Sequence, residues 1–237
     1  MGFVSGHRFS DAVVLRNQMP LQGLGIHNRE HPLLKLGLTG GIASGKSVVG
    51  EIFVKLGAHL IQADAVAHSL MQPGHAVYEE VVRRFGREIL NPDGSINRPR
   101  LAEAAFGTPG GAPPRVKELN EIVHPAVIEH ENKWMEEIAR RDPNAIAIVE
   151  AALILESGAA GRFDHLIVVT CRPEQRVLRF ARRLGISEDV ARAEVARRMA
   201  AQIPDEEKIK AADFVIDNSG SLDATEQQVR RVFAALR

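Results

Sequence analysis

Five short apolar runs divide the chain, at 33–39, 60–64, 145–149, 166–170 and 211–217. Little polar alternation breaks them. This pattern predicts strands buried on both faces, as in a parallel sheet covered by helices. Between them, apolar residues recur three and four apart over 45–56, 77–85, 96–106, 115–123, 125–140 and 222–236, which predicts helices. Pro99 near the start of the third helix is compatible with a first turn. His124-Pro125 separates the fourth from the fifth, because proline lacks the N–H and disfavours a helical residue before it. Turns fall at 57–59, 91–94 and 218–220, and a Gly/Pro-rich loop at 108–114. The block 64–140 is long for a simple crossover between parallel strands and reads as an inserted helical subdomain. Residues 1–32 show no apolar period and read as a disordered N-terminal extension, so that the folded domain is 33–237. The apolar stretch 12–15 is shorter than the roughly 7–15 residues of a signal-peptide core.

One stretch carries chemistry that the pattern alone does not. Gly40-Gly41-Ile42-Ala43-Ser44-Gly45-Lys46-Ser47 fits G-x-x-x-x-G-K-[ST], with a strand before it and a helix after it. Glycines let the backbone turn N–H groups toward an anion, and the helix adds the positive end of its dipole. Residues 41–48 are the expected nucleotide-binding set, Lys46 reaching the β- and γ-phosphates and the Ser47 hydroxyl holding Mg²⁺. The motif specifies a nucleoside triphosphate and leaves its use open.

The candidate chemistry around it comes from carboxylates and arginines. Asp64 ends the second run, at the sheet edge where ligands sit, and is the candidate general base; it also suits a helix N-cap. Glu150 ends the third run and either orders Mg²⁺ through water or is an ordinary surface carboxylate. Arg172, Arg176, Arg179, Arg182, Arg183, Arg192, Arg197 and Arg198 crowd 172–203. Arg176, Arg179 and Arg183 share a helical face. Arg179 and Arg183 read as a lid that closes over ATP and clamps the transferring phosphoryl group; the alternative is a solvated face paired with Glu174, Glu188, Asp189 and Glu194.

Composition narrows the classes. Thirty basic residues balance thirty acidic ones, so no global field draws nucleic acid or an anionic membrane. Cys171 is the single cysteine of the 237 residues, which excludes an internal disulfide and suits a reducing cytoplasm. No run approaches the roughly 20 apolar residues of a membrane span. The expected form is a cytoplasmic monomer or small homo-oligomer.

Together the landmarks resemble the dephospho-CoA kinase family. The resemblance runs from about residue 33 to the end. It rests on Leu38-Thr39 leading into the loop, Ala63-Asp64, His124-Pro125 and Leu153-Ile154-Leu155-Glu156. Later in the chain it rests on Pro173-Glu174 before Arg179 and Arg183, Ala200-Ala201-Gln202, and Ala212-Asp213 with Val215-Ile216-Asp217-Asn218. It implies a P-loop kinase fold: a five-stranded parallel sheet flanked by helices, with a helical CoA-binding insert at 64–140 and a lid at about 172–203. It implies transfer of phosphate from ATP, as its Mg²⁺ complex, to the ribose 3′-hydroxyl of dephospho-CoA. Asp64 falls on the family's catalytic aspartate, Arg179 and Arg183 on its lid arginines, and Asn218 on a position near the adenine of ATP. Four positions depart from the family pattern. Gln62 stands where an aspartate is usual, Ala43 where a glycine is common and is tolerated at negative φ, Val48 where a threonine often follows the serine, and Ala152 where a proline is usual, with Glu150 also unusual. A kinase for another nucleoside or nucleotide and a degenerate nucleotide-binding module are the rival readings. A GTPase is excluded, since Ile216-Asp217-Asn218-Ser219 is no N-K-x-D.

Overall fold

The computed structural model describes residues 33–107 and 113–237. The expected extension 1–32 and residues 108–112 of the expected loop lie outside the described residues. Strands β1 (Leu34–Thr39), β2 (His59–Gln62), β3 (Ile146–Glu150), β4 (His165–Thr170) and β5 (Phe214–Asp217) form one sheet in the order β2-β3-β1-β4-β5. Every neighbouring pair is parallel. The expected five-stranded parallel sheet is therefore present, with two boundary corrections. β2 stops at Gln62, so Asp64 belongs to the first turn of the following helix and not to the strand. β5 begins at Phe214, and Ala211 closes a helix instead.

Helices α1 (Lys46–Lys55), α2 (Ala63–Leu70), α3 (Ala76–Phe85), α4 (Arg98–Phe106), α5 (Val116–Arg141), α6 (Pro173–Leu184), α7 (Glu188–Ala200), α8 (Asp205–Ala211) and α9 (Leu222–Ala235) complete the chain. The main core joins the sheet to α1 and α9 through Leu36, Leu38, Phe53, Ile148, Ile167 and Phe233. Phe53 and Phe233 meet with ring centroids 6.4 Å apart. Helices α2 to α5 build a second core of their own around Val81, Phe85, Ile89, Leu101 and Val127. The far end of α5 anchors this block, since Met135 and Ile138 pack on Leu33, Ala145 and Ala147. A third core joins Ile42 of the loop to Val177, Phe180, Ala191 and Val195 of α6 and α7.

Two expectations need correction. The helices expected at 115–123 and 125–140 are one helix, α5, which runs through Pro125. Proline removes one backbone bond and crowds the turn before it. Val123 and Val127, on either side, are buried in the helical block and hold the turns together across it. Arg115 also fixes the start of α5, stacking 4.5 Å from the Phe85 ring and donating to the Arg84 carbonyl at 2.8 Å. Helix α8 was not expected at all. It has seven residues, and the residue it buries is Lys208, so it shows no apolar stripe.

β1 lies at the centre of the sheet. The chain leaves it toward β2 on one side and later crosses from β3 to β4 on the other. Where the connections diverge, a crevice opens beyond the carboxyl ends of the strands, the usual ligand position in such sheets. The 40–47 loop, Glu150 and the start of α2 all border it.

Pro125 is solvent-exposed, so it contributes little packing to set against its helix cost. Pro125→Ala is expected to raise the unfolding free energy in urea by up to about 3 kcal/mol. A loss of stability would show that the proline turn is itself required by the block.

Candidate active site

The 40–47 loop closes on itself with Ser44 N–H donating to the Gly41 carbonyl at 3.2 Å. Gly45, with φ 96°, turns the chain into α1, and a Cβ there would collide with the Asn218 amide. Ala43 has φ 54°, in the left-handed region. This corrects the expectation of negative φ. The loop needs that turn whatever residue occupies it, and alanine accepts it at a cost. Lys46 Nζ donates to the Gly40 carbonyl at 3.0 Å and to Gly41 at 3.4 Å. Burial lowers its pKa, while the nearby carboxylates of Glu150 and Asp64 work to keep it protonated.

A cavity of about 310 Å³ opens over this loop. Ala43, Gly45, Lys46, Ser47 and Val48 line it, together with Gln62, Asp64, Glu150, Arg179 and Arg183. Residues far apart in sequence thus converge on one space. Gly41, Ile42 and Ser44 are not among its lining residues; Ile42 packs inward on the core of α6 and α7 and Ser44 is fully buried. Nor does Asn218 line it. Its buried amide donates to the Ser44 carbonyl at 2.9 Å and accepts from the Thr225 hydroxyl at 3.0 Å.

Gln62, which stands where an aspartate is usual in the family pattern, faces a carboxylate far from it in sequence. In the β2–β3 ladder Gln62 is the direct partner of Glu150. The Gln62 amide donates to Glu150 Oε2 at 3.0 Å, and the Ser47 hydroxyl donates to Oε1 at 2.9 Å. The carboxylate beside the loop serine therefore stands on β3, held at both oxygens. No local pattern could reveal a pairing 88 residues apart.

The arginine-rich stretch splits three ways. Arg179 and Arg183 line the cavity. Arg179 also donates to the Ser44 carbonyl at 3.1 Å and to the Asn218 carbonyl at 2.8 Å, tying α6 to the loop. Arg176, on the same face, turns inward instead: it is fully buried, ion-paired with Asp205, and lies against Gly41, where a Cβ would collide with it. Arg197 and Arg198 form the solvated face, both bonding Glu194 and pushing its carboxyl down to about 2.

A second cavity, about 470 Å³, adjoins the first and shares Asp64, Ala151 and Ala152 with it. Helices α2 and α5 and the segment after β3 wall it. His124 is among its lining residues, as are Val123, Val127 and Gln202. Gln202 in turn accepts from the buried Lys208 ammonium at 3.0 Å, and Lys208 pairs with Glu156 at 2.8 Å. Two motif residues, Glu156 and Gln202, are joined by a helix that the sequence did not reveal.

A family model described as dephospho-CoA kinase matches residues 34–224. The chain belongs to the dephospho-CoA kinase family. It is 38% identical over 204 residues to a dephospho-CoA kinase of Corynebacterium efficiens, covering 86% of this chain and 98% of the relative. It is 40% identical over 202 residues to one of Aquifex aeolicus, covering 85% and 97%. Among solved structures, a Thermus thermophilus protein superposes with TM-score 0.69 at 33% identity, covering 86% of this chain and 98% of that one. The dephospho-CoA kinase from Campylobacter jejuni gives 0.54 at 25% identity, with the same coverage. The family uses ATP, and the fold is that of a P-loop kinase.

Because Ala43 sits in the left-handed region, where a Cβ costs about 1–2 kcal/mol, Ala43→Gly is expected to stabilise the fold by roughly 1 kcal/mol. Urea unfolding would read the gain. An unchanged midpoint would mean that the Ala43 methyl group offsets the strain through its contacts with the α6–α7 core.

Proposed function

We propose that the chain phosphorylates the ribose 3′-hydroxyl of dephospho-CoA with ATP, giving coenzyme A and ADP, the last step of coenzyme A synthesis. The observation that carries this assignment is the meeting of two cavities at Asp64, one over the phosphate loop and one beneath the helical block. A phosphoryl donor and a bulky acceptor need such adjoining spaces, with a proton acceptor between them. ATP takes the first cavity and the acceptor takes the second.

In this reading the loop N–H groups and the start of α1 bind the donor phosphates. Lys46 leaves the Gly40 and Gly41 carbonyls for phosphate oxygens, and Arg179 and Arg183 offset charge on the transferring group. Asp64 accepts the proton of the acceptor hydroxyl and keeps it in line. Most of the acceleration comes from positioning and electrostatics.

The donor set beside the loop suits Mg²⁺. Ser47 and Glu150 offer hard oxygens already in contact, and one or two protein oxygens with substrate phosphates are the usual Mg²⁺ environment. Ser47 would hold the ion directly and Glu150 through water. When bound, it would supply positive charge that offsets the negative charge developing on the terminal phosphates. Among the described residues no helix is long and apolar enough to cross a membrane. Cys171 stays a buried free thiol, and we read the chain as cytoplasmic.

An ADP-release assay with dephospho-CoA against other nucleosides tests the acceptor. Asp64→Asn is expected to keep ATP affinity and lower turnover by about 10²-fold or more. Near-normal turnover would remove Asp64 as the base. A second variant tests the electrostatics around Lys46. Burial lowers its pKa and Glu150 is the largest influence opposing that shift, so Glu150→Gln should lower it further. The alkaline limb of kcat/KM for ATP should then move to lower pH. An unmoved limb would mean that Lys46 does not govern it.

A further inference from the structure

The acceptor cavity contains a group that phosphoryl transfer leaves unused. Glu131, on the α5 face that lines the cavity, is 98% buried by its 2% exposure. Its Oε2 lies 2.9 Å from Arg162 Nη2, yet it receives no hydrogen bond of good geometry. Arg162 also donates to Asn132 Oδ1 at 3.3 Å and lies over the Phe163 ring, so its direction is fixed from outside the pair. A buried carboxylate short of donors is costly unless something supplies them.

The rest of the lining indicates which part of the acceptor supplies one. Resting on the acceptor assignment above, the reacting ribose sits at Asp64. From that ribose the base leaves on one side and the pyrophosphate on the other. Ala63, Ala67, Val123, Val127, Ala151 and Ala152 line the cavity with small or apolar surface, which suits a flat ring. Asp64 and Glu131 bring two carboxylates to it, and its one arginine, Arg162, already faces Glu131, so a pyrophosphate is disfavoured there. The pantetheine arm lies beyond that pyrophosphate. The base is what remains. An ionised carboxylate can only accept hydrogen bonds; adenine presents an amine at the position where hypoxanthine presents an oxygen.

We propose that Glu131, oriented by Arg162, reads the adenine of the acceptor by accepting a hydrogen bond from its exocyclic amine. Glu131 is then a specificity-determining residue of the acceptor site.

The test compares wild type with Glu131→Gln on three acceptors: dephospho-CoA, its hypoxanthine counterpart, and AMP, which lacks the pantetheine arm. Wild type should favour adenine over hypoxanthine by about tenfold or more in kcat/KM. In Glu131→Gln that preference should collapse, because the new amide can donate to the hypoxanthine oxygen. Its kcat/KM for dephospho-CoA and for AMP should fall by a similar factor, about tenfold, through KM, with KM for ATP unchanged. Should the single variant fail to fold, Glu131→Gln with Arg162→Gln leaves no unpaired charge and carries the same expected loss of base preference. An unchanged preference would overturn the proposal. So would a loss confined to dephospho-CoA and absent with AMP, which would assign Glu131 to a pantetheine amide. If wild type transfers phosphate to another acceptor and not to dephospho-CoA, the acceptor assignment fails first and this proposal fails with it.

Discussion

A peptide group can turn its N–H toward a phosphate only if its C=O is held somewhere else. The 40–47 loop meets that constraint with side chains from distant elements. The Ser44 carbonyl accepts from Asn218 and from Arg179, and the Gly40 and Gly41 carbonyls accept from Lys46. Asn218 is itself fixed by Thr225 of α9. The loop is thus pinned from the end of β5, from α6 and from its own lysine. The Lys46 contacts differ in kind from the Asn218 contact, since Lys46 lines the cavity and Asn218 does not. The Asn218 contact lies behind the loop and not in its cavity, whereas Arg179, which holds the same Ser44 carbonyl, also lines the cavity.

The departures at Ala43 and Val48 fall outside this pinning. Both line the cavity, yet neither makes the bonds that hold the loop carbonyls. Gln62 is a different case. Its amide satisfies the Glu150 oxygen that Ser47 does not reach, so the β2 and β3 positions act as one unit across the ladder. An aspartate at 62 would bring two carboxylates face to face; glutamine there makes Glu150 tolerable without removing its charge. The charge matters, because Lys46 is buried and leans on Glu150 first and Asp64 second to stay protonated.

Much of the fold was legible because its signals are local. Buried parallel strands are short apolar runs, and β1, β3 and β4 appear in the sequence almost to the residue. The phosphate loop is a contiguous motif. The failures have equally physical causes. Pro125 is a reliable breaker only when no tertiary contact spans it, and Val123 and Val127 supply that contact. Helix α8 hides because it buries a lysine. Arg176, Arg179 and Arg183 share a face in sequence, but a helix face can divide between interior and cavity, and only Asp205, seen in three dimensions, shows which way Arg176 goes. The Glu150–Gln62 and Glu131–Arg162 pairs depend on segments distant in sequence meeting in the fold, which single-sequence patterns do not encode.

Moving Asp64 from a strand end to the first turn of α2 changes what that residue implies. A strand-end side chain would be placed by the sheet alone. As part of α2, Asp64 is fixed on the same rigid element as Ala63 and Ala67, which line the second cavity. Helix α2 packs on α5 through Val66, and α5 in turn carries Val123, Val127 and Glu131 to the same cavity. The proposed base and the proposed base-reading carboxylate are therefore held by two helices that share one core. In that proposal, the shared core sets the distance between the acceptor hydroxyl at Asp64 and the purine at Glu131. In-line transfer loses rate steeply with small misplacements. The helical block has a core of its own, joined to the sheet by the far end of α5, while α6 and α7 pack separately on Ile42, so the two walls of the crevice rest on different cores.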